Sequence, residues 1–147
     1  MAFLFKKYRN KGIKKKRMPS QYKRSIDLLD KVFSYYVRLR DQRKYGKCPI
    51  CLIRKIEVNF HFFPRKNMAT RYEADACCGS CRGCNYQEHM RRGIVDSDAY
   101  FRATHVRLVG EERVKELESQ KGKPWKKSAA EVMELVRYFE AKLATMK

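Results

Sequence analysis

Two cysteine pairs, Cys48-Pro-Ile-Cys51 and Cys81-Arg-Gly-Cys84, constrain this chain more than any other feature. A Cys-x-x-Cys turn presents two sulfurs to one ion, so two such turns complete a tetrahedral zinc site. The 29 residues between the pairs form a longer insertion than a compact ribbon needs, which suits two knuckles flanking a functional loop. Cys77 and Cys78 also lie close to the second pair. Adjacent residues do not readily chelate one tetrahedral ion together, so both are expected as buried small hydrophobes. The apolar start, Ala2–Phe5, is short and precedes the positive charge, which is the wrong order for a secretory signal. The expectation is therefore a cytoplasmic protein whose cysteines hold metal and not disulfides.

With 147 residues the chain has room for one domain with appendages. Its net charge is +19, and residues 1–47 carry most of it, with 16 basic and 3 acidic groups. Such a concentration favours a polyanionic partner, nucleic acid before an anionic membrane. Residues 1–18 hold eight Lys or Arg, including Lys14, Lys15, Lys16 and Arg17, and no acid. They read as a basic arm that lies along phosphates. No stretch is long and apolar enough to span a bilayer.

Residues 19–147 read as one domain. Apolar residues at helical spacing (Ile26, Leu29, Phe33, Tyr36, Val37) and a second stripe (Leu28, Val32, Tyr35, Leu39) predict a broad-faced helix over 20–44. Ser20 is its cap and Gly46 its stop. Ile56–Phe63 predicts a strand, alone or in a short hairpin with Leu52–Arg54. Arg65–Ala76 reads as a loop, and a helix is expected from near Asn85. The span 96–147 predicts helices: one capped by Asp96 or Ser97, one over Glu111–Glu118, and a last one behind the capping box Ser128-Ala-Ala-Glu131. The apolar stripe of the last helix suits a core face, a lid on the first helix, or the seam of a homodimer, and the first helix is equally open to a partner. The fold class expected is α+β, with a ββα core at 47–93 flanked by a long N-terminal helix and C-terminal helices.

His61 falls where the apolar strand meets a basic loop carrying Arg65 and Arg71. Asn85 and His89 are four apart and so share a helix face. A strand His joined by cysteine knuckles to a helix Asn/His pair is the set a one-metal nuclease needs. His105, within a helical pattern, is expected to pack and not to react.

The order of helix, Cys-x-x-Cys, strand ending in His, Thr-Arg-aromatic and Cys-x-x-Cys-Asn resembles the phage NinG/Rap recombination endonucleases. These are zinc-stapled relatives of the HNH and endonuclease VII group. The matching stretches are Asp41–Cys51, Phe60–Arg65, Thr70-Arg71-Tyr72, Cys81–Asn85 and Val109–Glu118, within residues 25–145. The resemblance implies a DNA endonuclease of phage recombination acting in the bacterial cytoplasm on branched intermediates, alongside recombination or replication proteins. It implies structural Zn²⁺ on Cys48, Cys51, Cys81 and Cys84, and a catalytic Mg²⁺ or Mn²⁺ held by His89 and Asn85. His61 matches the general base, with Arg65 and Arg71 holding flanking phosphates. Relatives tend to carry an Asn where this chain has Ala76, so either Asn85 or Asp75 takes that role or activity is altered. Phe60 and Asn59, not an acid or a His, precede His61, so the first metal ligand is unassigned. The competing readings are a non-catalytic zinc module that binds nucleic acid, and a partner-binding adaptor using the first helix.

Overall fold

The computed structural model describes residues 18–146. Helix α1 spans Gln21–Tyr45. The Ser20 side chain accepts a hydrogen bond from the Lys23 amide, and Gly46 ends the helix at φ 71°, a conformation that favours glycine. The first of its two apolar stripes is buried at Ile26, Leu29, Phe33 and Val37, whereas the second is mixed: Leu28 and Tyr35 are exposed, and Val32 is partly buried against the same core. That inward stripe meets Val132, Val136 and Phe139 of the last helix, α6 (Ala129–Ala144), and Tyr72 and Cys77 join the same cluster. Phe33 sits edge-on to both Phe139 and Tyr72, with centroids 4.9 and 5.6 Å away. The Ser128–Glu131 capping box starts α6 as the sequence predicts, satisfying two end amides reciprocally. Of the roles open to this stripe, the structure gives it a core face against α1.

The sheet has two strands, β1 (Val58–His61) and β2 (Cys77–Ser80), antiparallel, with Phe60 opposite Cys78 and His61 opposite Cys77. The predicted hairpin partner, Leu52–Arg54, is not in the sheet. Those residues close the first knuckle, where Cys48 N–H donates to Arg54 O and Leu52 N–H to Cys48 O. Because side chains alternate along a strand, β2 serves two cores. Cys77 belongs to the α1–α6 cluster, while Cys78 packs with Phe60, Cys48, Cys81, Ile50 and Phe101. This explains the adjacent cysteines: each is buried, on opposite faces.

Between the strands, the predicted loop contains a short helix α2 (Met68–Arg71) and a 3₁₀ turn, Ala74–Ala76. Helix α1 crosses β2 closely at Gly79, where a Cβ would lie 2.7 Å from Ile56 Cγ2 and 3.4 Å from the Arg38 Cα. Buried Asp41 accepts from Gly79 N–H (2.7 Å) and from Arg40, which also donates to Ala74 O and Cys77 O. Two-charge contact and backbone bonds together satisfy a carboxylate that would otherwise be costly to bury.

Helix α3 (Arg82–Arg91) starts at Arg82, three residues earlier than expected, because Cys81 of the knuckle caps it. Helix α4 (Val95–Val109) begins before the predicted caps; neither Asp96 nor Ser97 caps it, and Asp98 instead accepts from Gly93 N–H. Helix α5 (Glu111–Gln120) buries Val114 and Leu117 and reaches the 3₁₀ turn through Arg113, paired with Glu73 and Asp75. Among the described residues, no helix is long and apolar enough to cross a membrane.

Candidate metal centre and adjoining cleft

Cys48, Cys51, Cys81 and Cys84 converge with all four sulfurs within 4.8 Å of one another. A tetrahedral zinc with Zn–S bonds of about 2.3 Å needs sulfurs about 3.8 Å apart, and Cys51 and Cys81 stand at 3.9 Å. The donor set fits zinc, and neither Cys77 nor Cys78 takes part. The first knuckle turns through Leu52 at φ 60°, a conformation a leucine adopts at some cost. In the second, Cys84 N–H donates to Cys81 Sγ, so a ligand sulfur doubles as the α3 cap.

Burial raises the Cys48 thiol above its ordinary range and, with hydrogen bonds to Cys81, raises Cys84 further. For Cys51, burial acts in the same direction, but the amides of Arg54 and Ile53 and the neighbouring sulfurs outweigh it and bring it to about 6. Ligation requires all four sulfurs as thiolates, so metal binding here would release protons from Cys48 and Cys84.

Beside this centre lies an open cleft of about 650 Å³ whose wall includes His61, Asn85, His89 and Arg65. β1 delivers His61, and successive turns of α3 deliver Asn85 and His89. Because the cysteines bind the two knuckles together, the strand and helix carrying these groups are held together too. Burial, then Arg65 and Arg71, lower the His61 imidazole to about 4, so it is neutral at physiological pH. Its Nδ1 is 3.2 Å from Cys77 Sγ and its Nε2 is 3.5 Å from Asn59 Nδ2. His89 is exposed, with Nδ1 3.8 Å from the Glu88 carboxylate.

The cleft also contains residues that the sequence reading did not select: Asp30, Arg38, Glu57, Asn59, Glu88 and Arg92. Asp30 and Arg38 come from α1, far away in sequence, so no local pattern marks them. Glu88 is nearly buried between the cleft and its ion pair with Arg92, one turn on. Its position between His89 and Asn85 on one short helix was a readable sign. Asn59 Oδ1 is buried without a hydrogen-bond partner among the described residues.

Arg71 departs from its expected role. Its guanidinium is only 16% exposed and donates to Asp30 at 2.5 Å. Tyr72 O–H donates to the other Asp30 oxygen at 2.7 Å, so Thr70-Arg71-Tyr72 fastens this loop to α1. Arg65 shares Asp30 at 3.3 Å but is 55% exposed and lines the cleft. Asp75 lies outside the cleft, its carboxylate paired with Arg113. His105 packs as expected, stacked on Phe62 at 4.0 Å with Nε2 donating to Asp75 O. Lys14, Lys15, Lys16 and Arg17 lie outside the described residues.

A magnesium-type ion keeps several waters and takes one or two protein ligands together with phosphate oxygens. Among the described residues, the four cysteines are the one group of three or more metal-donor side chains close enough to share an ion. Compared with models of protein families, with curated proteins and with solved structures, the chain matches none.

Proposed function

We propose that this chain is a metal-dependent DNA endonuclease with an HNH-like core, acting on branched recombination intermediates. The observation that carries this reading is the convergence of His61, Asn85, His89 and Arg65 on one cleft, beside a four-cysteine cluster that ties strand to helix. The strong positive charge of the chain supports a phosphodiester substrate.

In this reading neutral His61 accepts a proton from the attacking water. An imidazole at about 4 is a weak base, but a phosphate entering beside it adds negative charge and raises its proton affinity. Arg65, with Arg38 and Arg92 on the same walls, holds the phosphate, and Arg65 gives up its distant contact with Asp30 to do so. Asn85 and His89 would hold Mg²⁺ or Mn²⁺, which supplies charge neutralisation of the departing oxygen. The zinc on Cys48, Cys51, Cys81 and Cys84 keeps these groups in register.

The test is cleavage of duplex, single strand, fork, D-loop and four-way junction with defined metals. His61→Ala is expected to lower cleavage by about 10²–10⁴ with zinc content and DNA affinity retained. His89→Ala should also weaken the Mg²⁺ dependence. Near wild-type cutting by the His61 variant would refute the role given to His61. A second reading, a zinc module that binds nucleic acid without cutting, draws on the lack of a three-donor second metal site among the described residues. Binding without nicking in any metal would select it.

A further inference from the structure

We propose that Cys77 is a positioning residue for His61: its sulfur accepts the imidazole Nδ1–H and leaves Nε2 as the proton-accepting nitrogen beside Asn59. The catalytic consequence rests on the endonuclease reading; the hydrogen bond does not.

The strand register makes the pair. His61 lies directly opposite Cys77, and opposed residues of antiparallel strands share a face with their Cβ atoms about 5 Å apart. The sulfur and Nδ1 are separated by 3.2 Å. A thiol has one proton, and here the S–H has a second partner, Arg71 O at 3.8 Å. With the proton directed at that carbonyl, the sulfur presents lone pairs to the ring, and Nδ1 must be the donor. Asn59 flanks the ring from the other side. Its Nδ2, a donor, lies 3.5 Å from Nε2, which suits an unprotonated Nε2.

Cys77 is well placed to impose this choice. It is 2% exposed, so water does not compete for the ring nitrogen, and burial holds it as the neutral thiol. Its backbone is fixed by Arg40, which donates to Cys77 O at 3.0 Å and to Ala74 O at 2.9 Å while paired with Asp41. No proton passes to sulfur in this scheme. When Nε2 takes a proton from water, Nδ1–H stays on Cys77, and the bond is stronger in the imidazolium than in the neutral ring. The role is orientation and tautomer selection, as second partners of functional histidines commonly supply.

The experiment is long-range ¹H–¹⁵N correlation on the zinc-loaded full chain with ¹⁵N-labelled histidine. Three histidines are assigned by substituting His89 and His105. The wild type is expected to show the Nδ1–H tautomer at His61. Cys77→Val, similar in size but without an acceptor, should move His61 toward Nε2–H, and Cys77→Ser should restore Nδ1–H. Cleavage is expected to follow, with kcat about 10–100-fold lower in the valine variant, KM and zinc content unchanged, and recovery in the serine variant. An Nε2–H tautomer in the wild type would overturn the proposal, whether or not any variant folds. So would a valine variant that keeps Nδ1–H. If the tautomers follow expectation while even the wild type cuts no DNA, the Cys77–His61 bond stands and the endonuclease reading fails.

Discussion

The two buried clusters on either side of β2 are held by different physics. On one side, α1 and α6 interlock Leu29, Phe33, Val37, Val132, Val136 and Phe139, and apolar area removed from water supplies the cohesion. On the other, Cys48, Cys81, Ile50, Phe60, Cys78 and Phe101 form a smaller group of which the cysteines are a large part. That group is too small to stand on area alone, and the fit of four sulfurs to one ion identifies what replaces the missing area. The cleft draws on both: His61 shares the α1–α6 face of the sheet with Cys77, whereas Asn85 and His89 stand on the helix that Cys81 caps.

Removing the metal should separate the halves most sharply. Structural zinc contributes about 10–16 kcal/mol in small zinc-dependent modules. Cys81→Ala, or chelation, is therefore expected to release one equivalent of metal and to dissolve the packing of Phe60 and Phe101. The α1–α6 pair should keep its helicity, followed by circular dichroism and by Phe33 and Phe139 methylene signals. Loss of all helicity with the metal would mean that the two halves form one cooperative unit. Metal affinity should rise with pH, because Cys48 and Cys84 must lose protons to bind.

Phe33→Ala reverses the experiment. Phe33 is 1% exposed and central to the larger cluster, so its loss should cost about 3–5 kcal/mol in urea unfolding. Zinc stoichiometry should stay unchanged in the fraction that remains folded. Zinc loss in that variant at low urea would show that the larger core also supports the smaller one.

Gly79→Ala probes the boundary itself. The added methyl would lie 2.7 Å from Ile56 Cγ2 and in ordinary contact with the α1 backbone at 3.4 Å, so Ile56, wedged between β2 and α1, must shift. A cost of about 1–3 kcal/mol is expected, together with altered signals from both Cys77 and Cys78 neighbours. Perturbation confined to one face of β2 would argue that the strand insulates the halves.

The smallest effect is a pH dependence. His61 titrates at about 4 in the fold against 6.5 ordinarily, so between those values the unfolded chain binds more protons and stability falls as pH falls. The loss is roughly 1 kcal/mol near pH 5.5, absent above pH 7 and no longer growing below pH 4. His61→Gln should remove this component while leaving acid loss of zinc in place. An unchanged pH profile in that variant would place His61 in a more open setting.

Local signals carried much of this fold. The Ser20 and Ser128 caps, Gly46, the 3.6-residue periodicity of α1 and α6, and the two knuckles all act through neighbours in sequence. Cys48, Cys51, Cys81 and Cys84 were legible because metal geometry restricts ligand spacing. The pairing of β1 was not, since strand partners are chosen by surfaces that lie apart in sequence and meet only in the folded chain. The same reason hid the fate of the charged residues. Arg71 and Arg65 look alike in a basic loop, and only the approach of Asp30 from α1 makes one a structural tie and leaves the other at the cleft. The adjacent cysteines divide in the same way: the sequence makes both buried thiols, but the pleat of β2 gives Cys78 to the zinc side and sets Cys77 against His61. Spacing along the chain therefore determined which residues could form caps, knuckles and helix faces. Which polar group faces which was decided in three dimensions, because charge and hydrogen-bond partners are selected by distance in space and not by separation in sequence.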